Sequence, residues 1–376
     1  MSNIEKQEEL QKLYDAGIPV YSFSKVESMH NCPYEAYLTY IKKMRDKQEE
    51  NVYTRCGTII HDTLEKIMNG EATEADLLPA MKQELADLDM LGIEFPKGSD
   101  GSDSIRKSWI ADMTHFCTTY KAPKGRFETE RFFLYKTPRG HYLQGYIDLT
   151  RIRNDGTIEI YDYKTSTIYS KVSMQQHSRQ LTLYALGKEQ EGYHVGTIAW
   201  IFLKYCEVIY IGRKTAKSIQ DTEIRKVIER KNLVKDLAPE IRRKLAASGV
   251  DDISIGMIVD EALDKNEIPK QVASQFRIIP YVCKYELTEE TRAEAAQYFD
   301  DSIERWEILE KWLSDGESVD VLFPPLPFTR ITKSGKEVED TFYHNCLCGY
   351  RKICPHLQTY VAKKNEEKET EEDLFS

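Results

Sequence analysis

Two aspartates and a lysine, Asp148, Asp162 and Lys164, flank the turn Asn154-Asp155-Gly156 within HYLQGYIDLTRIRNDGTIEIYDYK, residues 141–164. A three-residue loop with Gly156 in the left-handed conformation pairs Arg153 with Thr157, so partners sum to 310 and Asp148 faces Asp162. Lys164, two residues on, shares their face through the period-2 alternation of a strand. Two ionised carboxylates about 5 Å apart repel by roughly 3 kcal/mol at an effective dielectric near 20. Ile147, Leu149, Ile158 and Ile160 imply a buried hairpin, which limits relief by solvent. A divalent cation removes the penalty, and one held by carboxylate oxygens can activate a water and neutralise negative charge beside it. A two-residue Asp155-Gly156 loop shifts the register by one and takes Asp162 off this pair, so the chemistry depends on the turn.

Further groups of the right type lie at separated places. Gln180 and Tyr184 are spaced i,i+4 on the helix predicted over 174–190, with Gln176 extending the stripe. His61 sits beside the apolar stripe Ile60, Leu64, Ile67 and Met68, and Glu130 lies in the strand 129–134 that precedes the hairpin. A lone helical histidine is more often a packing residue than a ligand. Taken together, Gly145-Tyr146-Ile147-Asp148, then Asp162-Tyr163-Lys164, then Gln180 to Tyr184, resemble the GxxD, D-x-K and QxxxY motifs of the PD-(D/E)XK nucleases, in particular the RecB-like branch. Gly57-x-x-x-His61-x-x-Leu64-Glu65 is similar to that branch's histidine motif.

The resemblance implies an α/β (α+β) restriction-endonuclease-like core, with a central mixed sheet flanked by helices, and a Mg2+- or Mn2+-dependent deoxyribonuclease. In it His61, Asp148, Asp162 and the Tyr163 backbone carbonyl would hold the cation, an imidazole ligand favouring Mn2+ relative to an all-oxygen site. Lys164 would orient the nucleophilic water and stabilise negative charge, with Gln180 and Tyr184 beside the site and the DNA strand, and Glu130 as an accessory acid. The expected activity is exonucleolytic, on single strands or DNA ends, in recombination, repair or replication. The alternative is a catalytically silent DNA-binding or scaffold subunit with the same fold, against which the intact Asp148, Asp162 and Lys164 count.

Three further cysteines, Cys346, Cys348 and Cys354, stand within nine residues beside Gly349 and Pro355. Their crowding is that of metal ligands. Cys32, in Asn31-Cys32-Pro33-Tyr34, resembles the single N-terminal cysteine of the RecB-like iron-sulfur nucleases, among them the AddB nuclease domain and the CRISPR adaptation nucleases. There one cysteine before the core and three after it hold a [4Fe-4S] cluster that joins the N- and C-terminal segments. The order here agrees, while the spacing is C-x-C-x5-C rather than C-x2-C-x5-C, which leaves open zinc with His344 or His356. Such a crosslink would close a loop of more than three hundred residues. Cys56, Cys117, Cys206 and Cys283 read as small buried apolar residues.

The elements that must position these groups follow from periodicity. Helical spacing predicts one or two short helices over 21–43 broken near Pro33, with Ser22 and Ser24 as candidate caps, then a helix from Gly57 to Gly70 and others over 74–92 and 104–120. From Arg126 the period becomes that of strands: 126–136, the two arms of the hairpin, 196–205 after the helix, and a further strand over 206–212. Residues 218–247 predict a basic amphipathic helix interrupted at Pro239, followed by a strand over 276–287 and a long helix over 288–314. The division is a helical segment over 1–56, a helical region with the histidine over 57–125, the nuclease-like core over 126–212, a basic insertion over 213–275, a C-terminal strand, helix and cysteine group over 276–362, and a disordered acidic tail over 363–376. Residues 70–125 and 206–275 are additions the resemblance does not explain.

Composition bounds the rest. A chain of 376 residues with net charge −10 and 41% hydrophobic residues can bury a large core and needs no disulfide framework. Its acidity excludes a uniformly basic coat, so a DNA surface must be a local concentration of Lys and Arg. The charged start MSNIEKQEELQKLYDAG and the lack of a long apolar run lead us to expect an intracellular, cytoplasmic protein with no membrane partner. No G-x-x-x-x-G-K-[ST] loop occurs, so a helicase must be a separate partner. The acidic end Glu371 to Ser376 reads first as a solubilising tail, the alternative being that its Leu374-Phe375 tip docks in an apolar groove of a replication protein such as a sliding clamp.

Overall fold

In the computed structural model, which describes residues 3–213 and 220–374, the turn takes the three-residue form. Gly156 has φ 82°, Arg153 N–H donates to the Thr157 carbonyl at 2.9 Å, and Gly156 N–H to the Arg153 carbonyl at 3.0 Å. The ladder runs in the expected register from Ile152 with Ile158 to Leu149 with Tyr161, where it ends, one step before Asp148 and Asp162.

The chain runs α1 (Asn3–Asp15), β1 (Val20–Ser22), α2 (Phe23–Asn31), α3 (Pro33–Ala36), α4 (Val52–Met68), α5 (Leu77–Leu91) and α6 (Ser104–Thr119) into β2 (Arg126–Lys136), β3 (Tyr142–Ile152) and β4 (Ile158–Lys164). Then come α7 (Lys171–Gln190), β5 (Val195–Gly212), β6 (Thr222–Glu229), α8 (Leu233–Ala247), α9 (Asp252–Lys265), β7 (Phe276–Tyr285), α10 (Glu289–Ser314), α11 (Val319–Leu322), the short strands β8 (Thr329–Ile331) and β9 (Glu337–Glu339), and α12 (Pro355–Leu374). Among the described residues β1 to β7 form one sheet, in the order β1-β3-β4-β5-β6, with β2 added on β3 and β7 on β5. It is mixed: β4 and β5 run parallel, which requires the crossover that α7 supplies, whereas β3 and β4 are antiparallel across the turn.

Both faces are covered. Ile158, Ile160, Trp200 and Phe202 pack with Leu181 and Ala185 of α7 and Phe299 and Ile303 of α10. Leu149, Tyr163 and Leu203 pack under Ile60 of α4, Leu85 of α5 and Met113 of α6. A third core joins Cys206, Val208 and Ile228 to α8 and α9. Each fully buried aliphatic contributes about 1.5–3 kcal/mol relative to exposure.

The break near Pro33 is real: α2 is capped by Ser22, whose hydroxyl accepts from Lys25 N–H at 3.1 Å, and Cys32 separates it from α3. Helix α4 begins at Val52 rather than Gly57, because the Asn51 side chain caps it through Thr54 N–H at 2.9 Å. The strand expected over 196–205 and its successor are one strand, β5. Of the basic segment 218–247, residues 218 and 219 lie outside the described residues, and 222–229 form β6 along the distal half of β5 rather than a helix. There Ile224, Lys226 and Ile228 alternate toward the protein, a period of two that the run of charges hides. Helix α8 passes through Pro239 without interruption. Helix α12 carries the chain to Leu374, into the segment expected to be disordered; an i,i+3 pair between Lys364 and Glu367 at 3.2 Å supports its exposed part. Phe375 and Ser376, the tip proposed for docking, lie outside the described residues.

Candidate active site

Asp162 and Lys164 occupy the end of β4, where the strand leaves the sheet. Asp162 is 2% exposed, and its Oδ2 lies 2.6 Å from Lys164 Nζ. Asp148 marks an irregularity in β3. Opposite it Glu130 has φ 43°, and the β2–β3 pairing skips it, running through Thr129 with Leu149 and resuming with Arg131 and Ile147. The alternation breaks there: Ile147 packs into the α7 core, while Leu149, two residues on, packs beneath α4 to α6. A non-glycine residue at positive φ costs about 1–3 kcal/mol, a strain that collects at functional positions. Asp148 Oδ2 accepts from Tyr163 N–H at 3.1 Å.

Helix α7 brings the next two groups. Lys164 Nζ donates to Gln180 Oε1 at 3.3 Å, and Gln180 Nε2 donates to the Tyr184 hydroxyl at 2.8 Å. Asp162, Lys164, Gln180 and Tyr184 thus form one chain of contacts. Its closeness rests on two glycines around Phe133: a Cβ at Gly187 would fall 2.6 Å from the ring, and one at Gly145 would fall 3.0 Å from it. Gly145 of the GxxD stretch therefore lets Phe133 lie flat between β3 and α7. Gln176 turns to Glu27 of α2, at 2.6 Å.

His61 reaches the site from α4. Its Nδ1 lies 3.4 Å from Asp148 Oδ2, its ring meets the Tyr163 ring edge-on at 6.0 Å, and it is hydrogen-bonded to the Tyr163 backbone. Burial pushes its pKa down, so the imidazole is neutral at neutral pH, the form that ligates metals. Burial and then the charge of Asp162 push the Asp148 carboxyl well above the ordinary range. Burial works against the Lys164 ammonium, but Asp162 outweighs it and the group stays charged. Glu130 is raised by burial and then by Glu65 and Asp62, which places these two acids of α4 near the site as well.

Among the described residues no three His, Cys, Asp or Glu side chains are arranged about a common point as metal ligands. At the hairpin Lys164 takes one side of Asp162 and Tyr163 N–H holds Asp148. The donors still suit a hard divalent cation: two buried carboxylates whose like charges need neutralising, a neutral imidazole and a backbone carbonyl. Such an ion, when bound, supplies a Lewis acid and an activated water. The chain's own contribution is a preorganised set of charges, with the Lys164 ammonium held between Asp162 and Gln180.

The cysteines divide. Cys32 and Cys354 lie close enough to Cys348 to raise its thiol, and all three are buried. The Cys32 sulfur accepts from Leu326 N–H at 3.4 Å and the Cys348 sulfur from Tyr350 N–H at 3.4 Å. Cys346 turns instead into a separate cleft with Glu49, Asn51 and Lys352. His344 bonds the Leu326 carbonyl at 2.9 Å and His356 packs edge-on against Tyr34 at 4.4 Å. In this arrangement the residues do not form a four-cysteine site.

Periodicity and motif give no sign of Tyr169 and His177. Tyr169, in the connection from β4 to α7, stacks on His177 at 3.9 Å, and its hydroxyl feels the charges of Lys164 and Asp162. The only sequence cue is its place five residues after Lys164.

The fold agrees with what comparison finds. The sequence matches the PD-(D/E)XK nuclease superfamily over residues 20–355, and the chain belongs to that superfamily. Comparison with curated proteins gives no significant match. No helix among the described residues is long and apolar enough to cross a membrane.

Proposed function

We propose that the protein is a Mg2+- or Mn2+-dependent deoxyribonuclease that degrades DNA from ends or as single strands, in recombination, repair or replication. The observation that carries this reading is the continuous contact from Asp162 through Lys164 and Gln180 to Tyr184, with Asp148 and His61 beside it. His61, Asp148, Asp162 and the Tyr163 carbonyl hold the cation; Lys164 orients water and stabilises charge; Gln180 and Tyr184 fix Lys164 and face the strand; Glu130 is an accessory acid. A helicase or other replication or recombination protein is the partner that would supply opened strands. Digestion of end-labelled linear and circular DNA, single-stranded and duplex, with Mn2+, Mg2+ or EDTA tests the reading. Metal-dependent loss of linear DNA with circles spared is expected; no cleavage of any substrate alongside retained DNA binding would move the protein to the scaffold class.

The same proposal extends to the RecB-like iron-sulfur branch. Support comes from Cys348 lying within electrostatic reach of both Cys32 and Cys354, one N-terminal and one C-terminal cysteine; Cys346 must rotate to complete four sulfurs. Iron, sulfide and zinc content of anaerobically purified protein separates a [4Fe-4S] cluster from zinc and from no metal.

A further inference from the structure

A cavity of about 340 Å3 opens on the α6 side of the sheet, at the lower end of the sizes that hold small ligands. Its floor is made by alternate residues of three adjacent strands: Leu149 and Arg151 of β3, Tyr161 and Tyr163 of β4, Leu203 and Tyr205 of β5. Ile279, Pro280 and Val282 of β7 also line it, where the β5–β7 ladder shifts register between Ile201 and Cys206. Phe116 and Tyr120 at the end of α6, with Phe127 of β2, complete aromatic walls.

The cavity is also cationic in an acidic protein. Lys121, Lys124, Arg151 and Arg230 line it, and no Asp or Glu does. Arg230 is 4% exposed. Its Nε donates to the Leu203 carbonyl at 2.8 Å and its Nη1 to Thr119 Oγ1 at 3.2 Å, with His115 Nδ1 also at 3.2 Å. Its guanidinium lies 5.4 Å from the Phe116 ring centre. Among the described residues it makes no ion pair, Asp112 acting on it only at longer range, so its charge is open to an anion that enters the cavity. Lys121 is held by Glu74 at 3.0 Å and Arg151 by Glu159 at 3.2 Å, while Lys124 has no carboxylate partner.

Aromatic faces with free cations and no acids are what a flipped base and its phosphate require, stacking and charge neutralisation being largely indifferent to sequence. We propose that this cavity holds one unpaired nucleotide of the substrate strand, the base between the aromatic walls and the phosphate at Arg230 and Lys124. The assignment rests on the nuclease reading for its source of strand. Tyr163 links the two places: its ring lines the cavity and its backbone meets Asp148 and His61.

The test is binding without cleavage: anisotropy of a fluorescent oligothymidylate with the full chain in EDTA, together with photocrosslinking of an oligonucleotide bearing 5-iododeoxyuridine. Lys124→Glu and Phe127→Ala are expected to weaken binding about fivefold or more each, with adducts on Tyr161 or Tyr205. Arg230→Gln is the sharper variant, but the bonds it loses support the fold, so exposed Lys124 keeps the test independent of folding. Unchanged affinity in both variants with adducts elsewhere overturns the proposal. Saturable binding of dTMP alone, lost in the same variants, would assign the cavity to a free nucleotide and overturn the strand. A protein that never cleaves yet loses binding in these variants sinks the nuclease reading and leaves the cavity standing.

Discussion

Lys164 is held from two sides, by Asp162 at 2.6 Å and Gln180 at 3.3 Å, so its ammonium is positioned before substrate arrives. Asp148→Asn keeps the shape and replaces a carboxyl that burial and Asp162 push toward its neutral form when no cation is bound; cleavage should fall by at least about a hundredfold while the melting temperature in EDTA does not drop. Loss of both activity and folding in that variant would mean that the Asp148 carboxylate is structural. At this scale the sequence was informative where alternation and turn chemistry rule: Gly156 set the register, and Asp148, Asp162 and Lys164 followed. It was silent where alternation fails. Nothing in FETERFF announces that Glu130 takes φ 43°, and that kink makes Ile147 and Leu149 serve opposite cores. Tyr169 was missed because a loop has no period.

Helix α7 is placed by absent side chains. Gly187→Ala would put a methyl group 2.6 Å from Phe133. An overpacked core costs about 1–3 kcal/mol, so we expect a lower melting temperature together with slower cleavage, as the helix moves Gln180 and Tyr184 away from Lys164. Phe133→Leu in the same chain should restore part of both. The far end of α7 carries a buried charge cluster: Glu191 meets Lys6 at 2.6 Å and Lys188 at 3.2 Å, and Lys188 is 1% exposed. Burial, only partly offset by Glu191, lowers the Lys188 pKa from 10.5 to about 7. Between those values the unfolded chain binds more protons than the folded one, so this group makes stability rise with pH across that window. Lys188→Met should therefore raise the melting temperature at pH 7, and its advantage should shrink toward pH 10; a constant difference across pH would contradict the assignment. The helices and most strands were legible from period and caps, whereas β6 was not, because its inward positions include Lys226 among charged neighbours. Helix α4 began early because Asn51 caps it, a signal present in the sequence and outweighed by Gly57.

Across the whole molecule, N- and C-terminal segments meet beside the core. Thr39 Oγ1 and the Tyr350 hydroxyl are 3.1 Å apart, Glu49 N–H donates to the Gly349 carbonyl at 2.6 Å, and Gly349 N–H donates to Glu35 at 3.0 Å. This junction stands on hydrogen bonds, and Cys32, Cys348 and Cys354 sit within it. If the four-cysteine site proposed above forms, Cys348→Ala and Cys346→Ala should both abolish bound metal and lower the melting temperature; metal retained in Cys346→Ala would exclude Cys346 as a ligand. The order of cysteines was readable in the sequence, but the outward turn of Cys346 was not, since one residue of spacing changes the direction of a side chain. The central claim, that the hairpin and α7 build a hydrolytic site, meets its most direct test in the single-turnover rate of linear single-stranded DNA cleavage with Mn2+, parent against Lys164→Ala at equal DNA affinity. A loss of about a hundredfold or more with DNA binding intact is the predicted result, and an unchanged rate would contradict the account.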